Sequence, residues 1–394
     1  MDVEAISARL QESEQRFEDH LIQTRLNFVE NAVNDQEAAD QNNVIGPYTL
    51  INDVANRQAL MIAFTGFSIH EFSTIFNTCQ RELDAGSRGR QPTFVGKDAL
   101  LVTLTFLKHY QTFEKLSVDF RISVATLERC IERTMESIYL PLKRRFLRVF
   151  LHDEQLTLGL QPESFPDAVG IIDCTVQECG TPVAPFADKK LFFSGKHWMY
   201  CLKTLTLHAP NGLAMLFHSP SPGSRADIDV LVRSANIIAP ILTANNVQRT
   251  YHLIGDAGFQ GASNIDGLRV VTPYKHPPRG NLTEDQLEFN RELSRVRVIV
   301  ENFYGRLKTR FGAARLKYRG DRSNYKMQIE ILLALINYDI YRRPLRREEG
   351  LNYLALMNEQ IEKNRISHRQ AITARRAAAN RRRQRLAGQL EEGE

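Results

Sequence analysis

Ala168-Val-Gly-Ile-Ile-Asp-Cys-Thr175 decides how the rest of the chain is read. The run from Ala168 to Ile172 carries no polar side chain, and Val169, Ile171 and Ile172 are β-branched, so it predicts a short buried strand. Asp173 then lies on that strand or at its end, with Thr175 next on the same face. A carboxylate beside an apolar core is costly unless it is paired or bound to a metal. Asp173 is therefore the first candidate for chemistry.

Downstream, Trp198–Leu207 alternates and is rich in β-formers, Ala214–His218 reads as a further strand, and Asn211-Gly212 between them is a hairpin signal. Asp227 to Ala239 reads as a helix and Thr250–Ile254 as another strand. That strand runs into Gly255-Asp256, and Gly258 lets the chain turn away. A helix is expected from about Asp285 to Phe311, with Val300, Phe303, Leu307 and Phe311 as its apolar face and Glu301 within it. Strands followed by helices, with polar groups at strand ends, indicate an α/β layered domain.

Asp173, Asp256 and Glu301 each sit where a strand or helix would aim them into one site, at spacings of 83 and 45 residues. Three such carboxylates repel one another unless divalent cations lie between them, and hard oxygen donors of this kind suit Mg2+ or Mn2+. Two ions about 4 Å apart can activate a water and stabilise the leaving oxygen of a phosphodiester. The three carboxyl groups are then expected to converge within reach of a shared metal pair, somewhat splayed when no metal is bound. Each acid taken alone has a plainer reading. Asp173 serves as a strand-end turn residue, Asp256 as an Asx turn before Ala257-Gly258, and Glu301 as the i−4 partner of Arg297 on a solvated helix face.

Upstream, residues 1–35 read as helical, 34–48 as a polar linker, 50–85 as one or two helices and 86–92 as a loop. From Lys97 to Arg144 the pattern is densely helical. Ser123 is placed to cap the last of three helices, in which Val124, Leu127, Ile131, Met135 and Ile138 form one buried stripe. Three short helices with a tight break before the last match a helix-turn-helix in outline, as does any small helical bundle. Arg121, Arg129 and Arg133 fall on or near its exposed face as candidate DNA contacts. The expected organisation is an N-terminal helical region (1–85), a helix-turn-helix-like region (86–150), an α/β domain (165–345) and a basic tail (346–394).

The net charge is +5, but its distribution says more. Residues 1–40 carry ten acidic and three basic side chains, whereas 365–386 carry eight Arg and no acid. Such polarity points toward a polyanionic partner, the alternative being a merely solvated tail. The tail has few apolar residues and is expected to be disordered, or helical only when bound. It has the charge of a nuclear localisation signal or a DNA arm. Near the last acid, Arg297, Lys308 and Arg310 are candidate contacts to a DNA backbone, or plain solubility charges. Lys275, His276 and Arg279 lie in a Pro-rich loop that could touch DNA or a partner protomer. Trp198 reads as a packing residue. The five cysteines, Cys79, Cys130, Cys174, Cys179 and Cys201, are odd in number and form no CxxC pair, which gives neither a disulfide framework nor a zinc ribbon. They read as reduced thiols of the cytosol or nucleus, though Cys174 and Cys179 with His197 leave a metal site open. No apolar run reaches membrane-spanning length and no secretory signal is evident, so no membrane partner is expected.

The words around the three acids are specific together. Ile172-Asp-Cys-Thr175, Pro222-Gly-Ser-Arg-Ala-Asp227, Gly255-Asp-Ala-Gly-Phe259, Thr272-Pro-Tyr274, Phe289-Asn290 and Arg297-Val-Ile-Val-Glu-Asn-Phe-Tyr-Gly-Arg-Leu-Lys-Thr-Arg-Phe311 resemble the catalytic region of Harbinger-type DDE transposases, from about Gly86 to Leu345. The resemblance implies an RNase H-like core with Asp173, Asp256 and Glu301 as catalytic, metal-holding residues and two Mg2+ or Mn2+ ions per site. It implies cut-and-paste cleavage of double-stranded transposon-end DNA and its joining to target DNA, in the nucleus, by a homodimer or higher oligomer with a possible Myb-like helper protein. The chain departs from the family at Ala226, where His is usual, at Cys174 and at Phe259; none of these removes a metal ligand, and Asp227 is left as a supporting residue. Three competing readings stand beside it: a domesticated transposase-derived protein without mobility, a sequence-specific DNA-binding regulator that uses the helix-turn-helix alone, and another RNase H-like nuclease acting on RNA hybrids.

Overall fold

The computed structural model describes residues 50–84, 92–150, 154–155, 160–181, 186–243, 251–265, 267–345, 359, 362–379 and 381. The N-terminal helix and linker expected over 1–48, the loop at 86–91 and the last arginines of the tail lie outside the described residues. Helices α1 (Leu50–Val54), α2 (Gln58–Thr65), α3 (Ile69–Leu83), α4 (Gly96–His109), α5 (Phe113–Asp119) and α6 (Val124–Phe146) come first. Then follow β1 (Ala168–Glu178), α7 (Phe186–Phe192), β2 (Phe193–Ser194), β3 (Met199–His208), β4 (Ala214–Phe217), β5 (Ser221–Pro222), α8 (Asp227–Thr243), β6 (His252–Ile254) and β7 (Val270–Val271). Helices α9 (Glu284–Arg310), α10 (Gly312–Arg315), α11 (Arg322–Arg342) and α12 (362–379) complete the described chain.

Among the described residues the sheet has seven strands in the order β2-β3-β1-β6-β7, with β4 and β5 also paired to β3. β1 is central. It runs antiparallel to β3, from Ile171 opposite His208 to Glu178 opposite Cys201, and parallel to β6, with Ile171 opposite Ile254. β6 in turn runs parallel to β7, with Ile254 opposite Val271. Ala168, Val169, Ile171 and Ile172 are essentially inaccessible, as expected for a strand covered on both faces. The Asn211-Gly212 signal is a turn between β3 and β4, where Gly212 takes the left-handed conformation at φ +88°. A Cβ there would also come within 2.8 Å of Ile299 on α9, so position 212 needs glycine twice over.

Sequence capping signals are realised. Ser123 accepts from the Thr126 N–H at the start of α6, and Thr283 with Gln286 closes a capping box at the start of α9. In α6 the stripe Leu127, Ile131, Met135 and Ile138 is buried as read. The tail differs from expectation: residues 362–379 are helical, and the helix meets the β2–β3 hairpin. There His368 packs against Phe193 and Trp198 at ring distances of 5.1 and 5.5 Å. Trp198 is thus half-buried under this helix. All five cysteines are free thiols, and among the described residues no single helix is long and apolar enough to cross a membrane.

Helix α11, which the periodicity of the sequence does not announce, joins the helical region to the sheet. It is buried all round from Gln328 to Ile340 and packs on α6 and β4. Three of its buried polar residues, Asn337, Glu330 and Asp339, tie it to its neighbours. The Asn337 amide accepts from Ala214 N at 2.9 Å and donates to Ala214 O and Phe146 O, each at 2.7 Å, satisfying β4 backbone groups that no strand reaches. Glu330 takes Lys143 at 2.7 Å and the Tyr139 hydroxyl. Asp339, 1% exposed, takes Arg310 at 2.8 Å together with Arg343 and Arg306. Arg343 continues to buried Glu71 on α3 at 2.7 Å.

Replacing Asp339 leaves these guanidinium groups gathered without their shared counter-ion. Asp339→Asn is expected to destabilise the fold by about 3 kcal/mol, since breaking a buried ion pair on one side strands the other. Denaturant midpoints of variant and parent measure this, and a loss below about 1 kcal/mol would show that the network is replaceable.

Candidate active site

The site grows from strand register. Ile171 of β1 and Ile254 of β6 are parallel partners, and Asp173 and Asp256 each follow two residues later. The two carboxylates therefore stand side by side where the β6 ladder ends, Asp173 midway along β1 opposite Thr206 and Asp256 just past β6, about 4.8 Å being the usual strand spacing. Glu301 comes from α9, which packs on β1. All three are half-buried.

Their electrostatics tie them together. Burial pushes the Asp173 carboxyl up to about 7; Arg297 opposes that shift, and the charges of Asp256 and Asp227 add to it. Burial likewise raises Glu301, again opposed by Arg297 and reinforced by Asp256. The plainer local readings also hold in part. Asp256 Oδ1 accepts the Gly258 N–H at 2.8 Å, which is the Asx turn, and Arg297 is the i−4 neighbour that moderates Glu301. They coexist with the cluster, because Arg297 acts on Asp173 as well.

Among the described residues no three His, Cys, Asp or Glu side chains are gathered closely enough to grip one ion as they stand. The carboxylates are neighbours that sense each other's charge, more splayed than a closed ligand set. Their chemistry nevertheless fits a hard divalent cation. All the donors are carboxylate oxygens, and burial with mutual repulsion holds two of them above their usual range, a strain that a cation between them relieves. Arg297 Nε is buried with no hydrogen-bond partner among the described residues.

The basic residues separate into two groups. Lys308, seven residues beyond Glu301 and so on the same face of α9, donates to Val176 O on β1 at 3.2 Å. Burial brings it down to about 8, against the pull of Asp173. Arg297 and Lys308 thus belong to the cluster. Arg310 does not. Nine residues beyond Glu301, it lies on the far side of α9, stacked on Phe67, donating to Gly66 O at 2.7 Å and paired with Asp339. Its guanidinium is spent on these partners inside the fold, with the side chain 25% exposed, which competes with the expected DNA contact.

In the helical region Arg121 is exposed at the α5–α6 break with φ 54°. Arg129 is exposed and donates to its own helix at Ala125 O, while Arg133 is half-buried and spent on Phe94 O at 2.8 Å. The exposed face of α6 also carries Glu128, Glu132 and Glu136, one turn apart. Such a stripe repels phosphates, and the apolar periodicity that located the helix says nothing of it.

Several supporting residues escaped the sequence reading. Lys203, buried in β3, donates to Asp227 Oδ1 at 2.7 Å and to Arg225 O at 2.6 Å. A Cβ at Gly258 would fall 2.7 Å from Asp227 Oδ2 and 2.9 Å from Asp256 Oδ1. Asp227, locked by Lys203, therefore forms the wall against which the Asp256 turn closes, and Gly258 must stay glycine. Behind Asp173, a polar chain runs from Gly212 O through buried His208 and Thr206 to the Tyr304 hydroxyl, which donates to Asp173 O at 3.4 Å. A lysine and a histidine inside the strand-forming stretch 199–208, beside Thr204 and Thr206, were the available signal.

Residues 172–337 match the family model described as DDE superfamily endonuclease. Over 257 residues the chain is 26% identical to a protein of Microchaete diplosiphon named "Probable transposase for insertion sequence element IS702", covering 64% of this chain and 83% of that one. No solved structure matches it. The matched span contains Asp173, Asp256 and Glu301.

The Asp173 shift carries a pH signature. An ordinary Asp ionises near 4, so between about pH 4 and pH 7 the folded state holds a proton that the unfolded chain releases. That contribution to stability is complete below about pH 4 and is lost as pH rises through about 7. Asp173→Asn cannot ionise. In chelator, the variant is expected to be more stable than the parent at pH 8, with the difference closing toward pH 4. His208, held near 4 by burial, weakens both proteins alike in acid. Denaturant midpoints across this range test it, and no gain at pH 8 would show that the Asp173 carboxylate is not strained.

Proposed function

We propose that this protein is a cut-and-paste DNA transposase of Harbinger type, which cleaves transposon-end DNA and joins the freed end to target DNA. The observation that carries the reading is the parallel β1–β6 register, which sets Asp173 and Asp256 side by side within the span that matches a DDE endonuclease. The name of the Microchaete diplosiphon relative supports it.

Asp173, Asp256 and Glu301 would hold the divalent metal, Mg2+ or Mn2+, as two ions per site. When bound, such ions supply Lewis-acid activation of the attacking hydroxyl or water and neutralise charge on the leaving oxygen. The chain's own residues do the rest. Arg297, released from balancing Asp173 and Glu301, turns its guanidinium to the scissile phosphate. Lys308 fixes the adjacent strand β1 and adds positive charge beneath the DNA. Tyr304 and Thr206 hold the backbone of Asp173, so that its carboxylate keeps its direction. Asp227 and Lys203 do the same for the Asp256 turn.

The same reading carries a nuclear site of action, a homodimer or higher oligomer, and a Myb-like helper that brings the complex to DNA. The exposed basic residues of α12, Arg369, Arg375 and Arg376, suit an arm along the DNA backbone. The helix-turn-helix assignment for α4–α6 remains part of this reading through Arg121, at the break before α6, and Arg129, in its second turn next to Glu128.

Purified protein with duplexes carrying candidate terminal inverted repeats is expected to cut in Mg2+ and not in EDTA. Asp173→Ala, Asp256→Ala and Glu301→Ala should each reduce cleavage at least 100-fold with DNA binding preserved, as loss of a catalytic ligand does. Asp256→Ala cutting near the parental rate would reject the assignment.

Removing residues 365–394 is expected to leave cleavage of short DNA intact while lowering the salt dependence of binding, because fewer phosphates are neutralised. A salt slope unchanged by truncation would leave nuclear entry as the tail's task.

A further inference from the structure

Two motifs have no part in the carboxylate chemistry: Thr272-Pro-Tyr274 and Phe289-Asn290. In the fold they meet. Asn290 Oδ1 accepts from Tyr274 N at 2.8 Å, and Asn290 Nδ2 donates to Tyr274 O at 3.0 Å. One side-chain amide thus satisfies both backbone groups of Tyr274, as a neighbouring strand would. The Phe289 ring stands edge-on to the Tyr274 ring at 5.1 Å and is itself braced edge-on by Phe165 at 5.6 Å. Pro273 O, one residue before, takes the Gln260 amide at 2.9 Å.

All this fixing is spent on a residue that stays 50% exposed. A core tyrosine would be covered, and a loop tyrosine would be loose. This one is exposed and held, so the ordering cost of using its ring as a contact is already met. Its place is also informative. Val271 of β7 is the parallel partner of Ile254, and Ile254 is the partner of Ile171, so Tyr274 leaves the end of β7 close to the level of Asp256 and of Asp173 on β1. Asn290 lies on the helix that carries Glu301, eleven residues earlier, about 16 Å along its axis. Lys275, His276 and Arg279 follow Tyr274, all exposed.

We propose that Tyr274 is a stacking platform for an unpaired nucleobase of the DNA held at the carboxylate site, with Lys275 and Arg279 on the adjoining phosphates. The inference rests on the reading of that site as a DNA-cutting one, and it adds a ligand chemistry and a residue to it. A fixed aromatic face flanked by cations is how proteins hold single-stranded DNA. Bases inside a duplex offer only their edges, so the partner is a base at a strand end or turned out of the helix, the condition of DNA opened at a cut.

The test is binding of the full chain in EDTA, where no cutting occurs, to two duplexes of one sequence, one blunt and one with a short 3′ overhang carrying 2-aminopurine. The parent is expected to prefer the overhang and to quench its fluorescence. Tyr274→Ala should lose about 10-fold in overhang affinity and the quenching, with blunt binding unchanged. Tyr274→Phe, which keeps the ring, should stay within about twofold of the parent. Asn290→Ala, which frees the loop, should lose overhang preference although the tyrosine is present. Three results would overturn the proposal: Tyr274→Ala binding the overhang like the parent, Tyr274→Phe losing as much as Tyr274→Ala, or equal losses on both duplexes. Metal-dependent cleavage by the parent is read separately, so stacking can fail while the nuclease reading stands, and the reverse.

Discussion

A parallel pair of strands that sets two carboxylates level, Asp173 midway along β1 and Asp256 just past β6, fixes the terms for the rest of this molecule. β1 is fixed on one side by antiparallel β3 and on the other by β6, so neither Asp173 nor Asp256 can slide away from the other without breaking ladder hydrogen bonds. Two like charges at strand spacing, partly out of water, raise each other's energy. Within the chain, Arg297 is the cation that moderates both Asp173 and Glu301. Arg297 and Lys308 among several carboxylates leave the balance incomplete, since burial still holds Asp173 up to about 7. A divalent cation and a phosphate complete it, the first taking the carboxylates and the second taking Arg297.

Such a strained pair needs a rigid frame, and the frame comes largely from outside the sheet. α11 lies between the helical region and the strands, buried nearly all round, and its polar residues reach in three directions. Asn337 fixes β4, Glu330 fixes α6, and Asp339 gathers Arg306 and Arg310 from the Glu301 helix with Arg343, which leads on to Glu71 of α3. The C-terminal half of α9 is therefore clamped on its far face, while Glu301 and Lys308 occupy the near one. Arg310, which reads in sequence as one more basic residue beside the acid, is the link between the two.

Much of this was legible in the residues and some was not, for identifiable reasons. β1, the β3–β4 hairpin, the Ser123 cap and α9 follow from local signals: an unbroken β-branched run, Asn-Gly, a hydroxyl before a helix, a 3.6-residue stripe. The three acids could be named because each interrupts or ends such a signal. α11 was silent because a helix buried on all sides has no period to detect, and Ile329 to Ile336 reads equally as strand or helix. The roles of Arg310 and Arg133 were not legible because a charged side chain looks the same in sequence whether it faces solvent or a buried partner. Asn290 and Tyr274 were visible as words, but that they hold each other is a fact of the tertiary fold. The helical tail was misjudged for a related reason: composition records the missing apolar residues and not the single histidine that docks between two aromatic rings.

The placement of the cations follows from the same constraint. Lys308, close enough to feel the charge of Asp173, is brought down by burial because it stands in the same poorly solvated space. Other positive charge is exposed, including that on the loop after β7 and on α12, in positions that phosphates can reach. The first kind can act on a reacting phosphate and the second only on the path of a strand. A protein that must cut at one bond and hold many others needs both, and must keep them apart so that the holding charges do not compete with a metal ion for the carboxylates. In this fold the separation is made by α9, whose near face carries Arg297, Glu301 and Lys308, and whose first half carries the Asn290 clamp that sets the exposed loop outside the site.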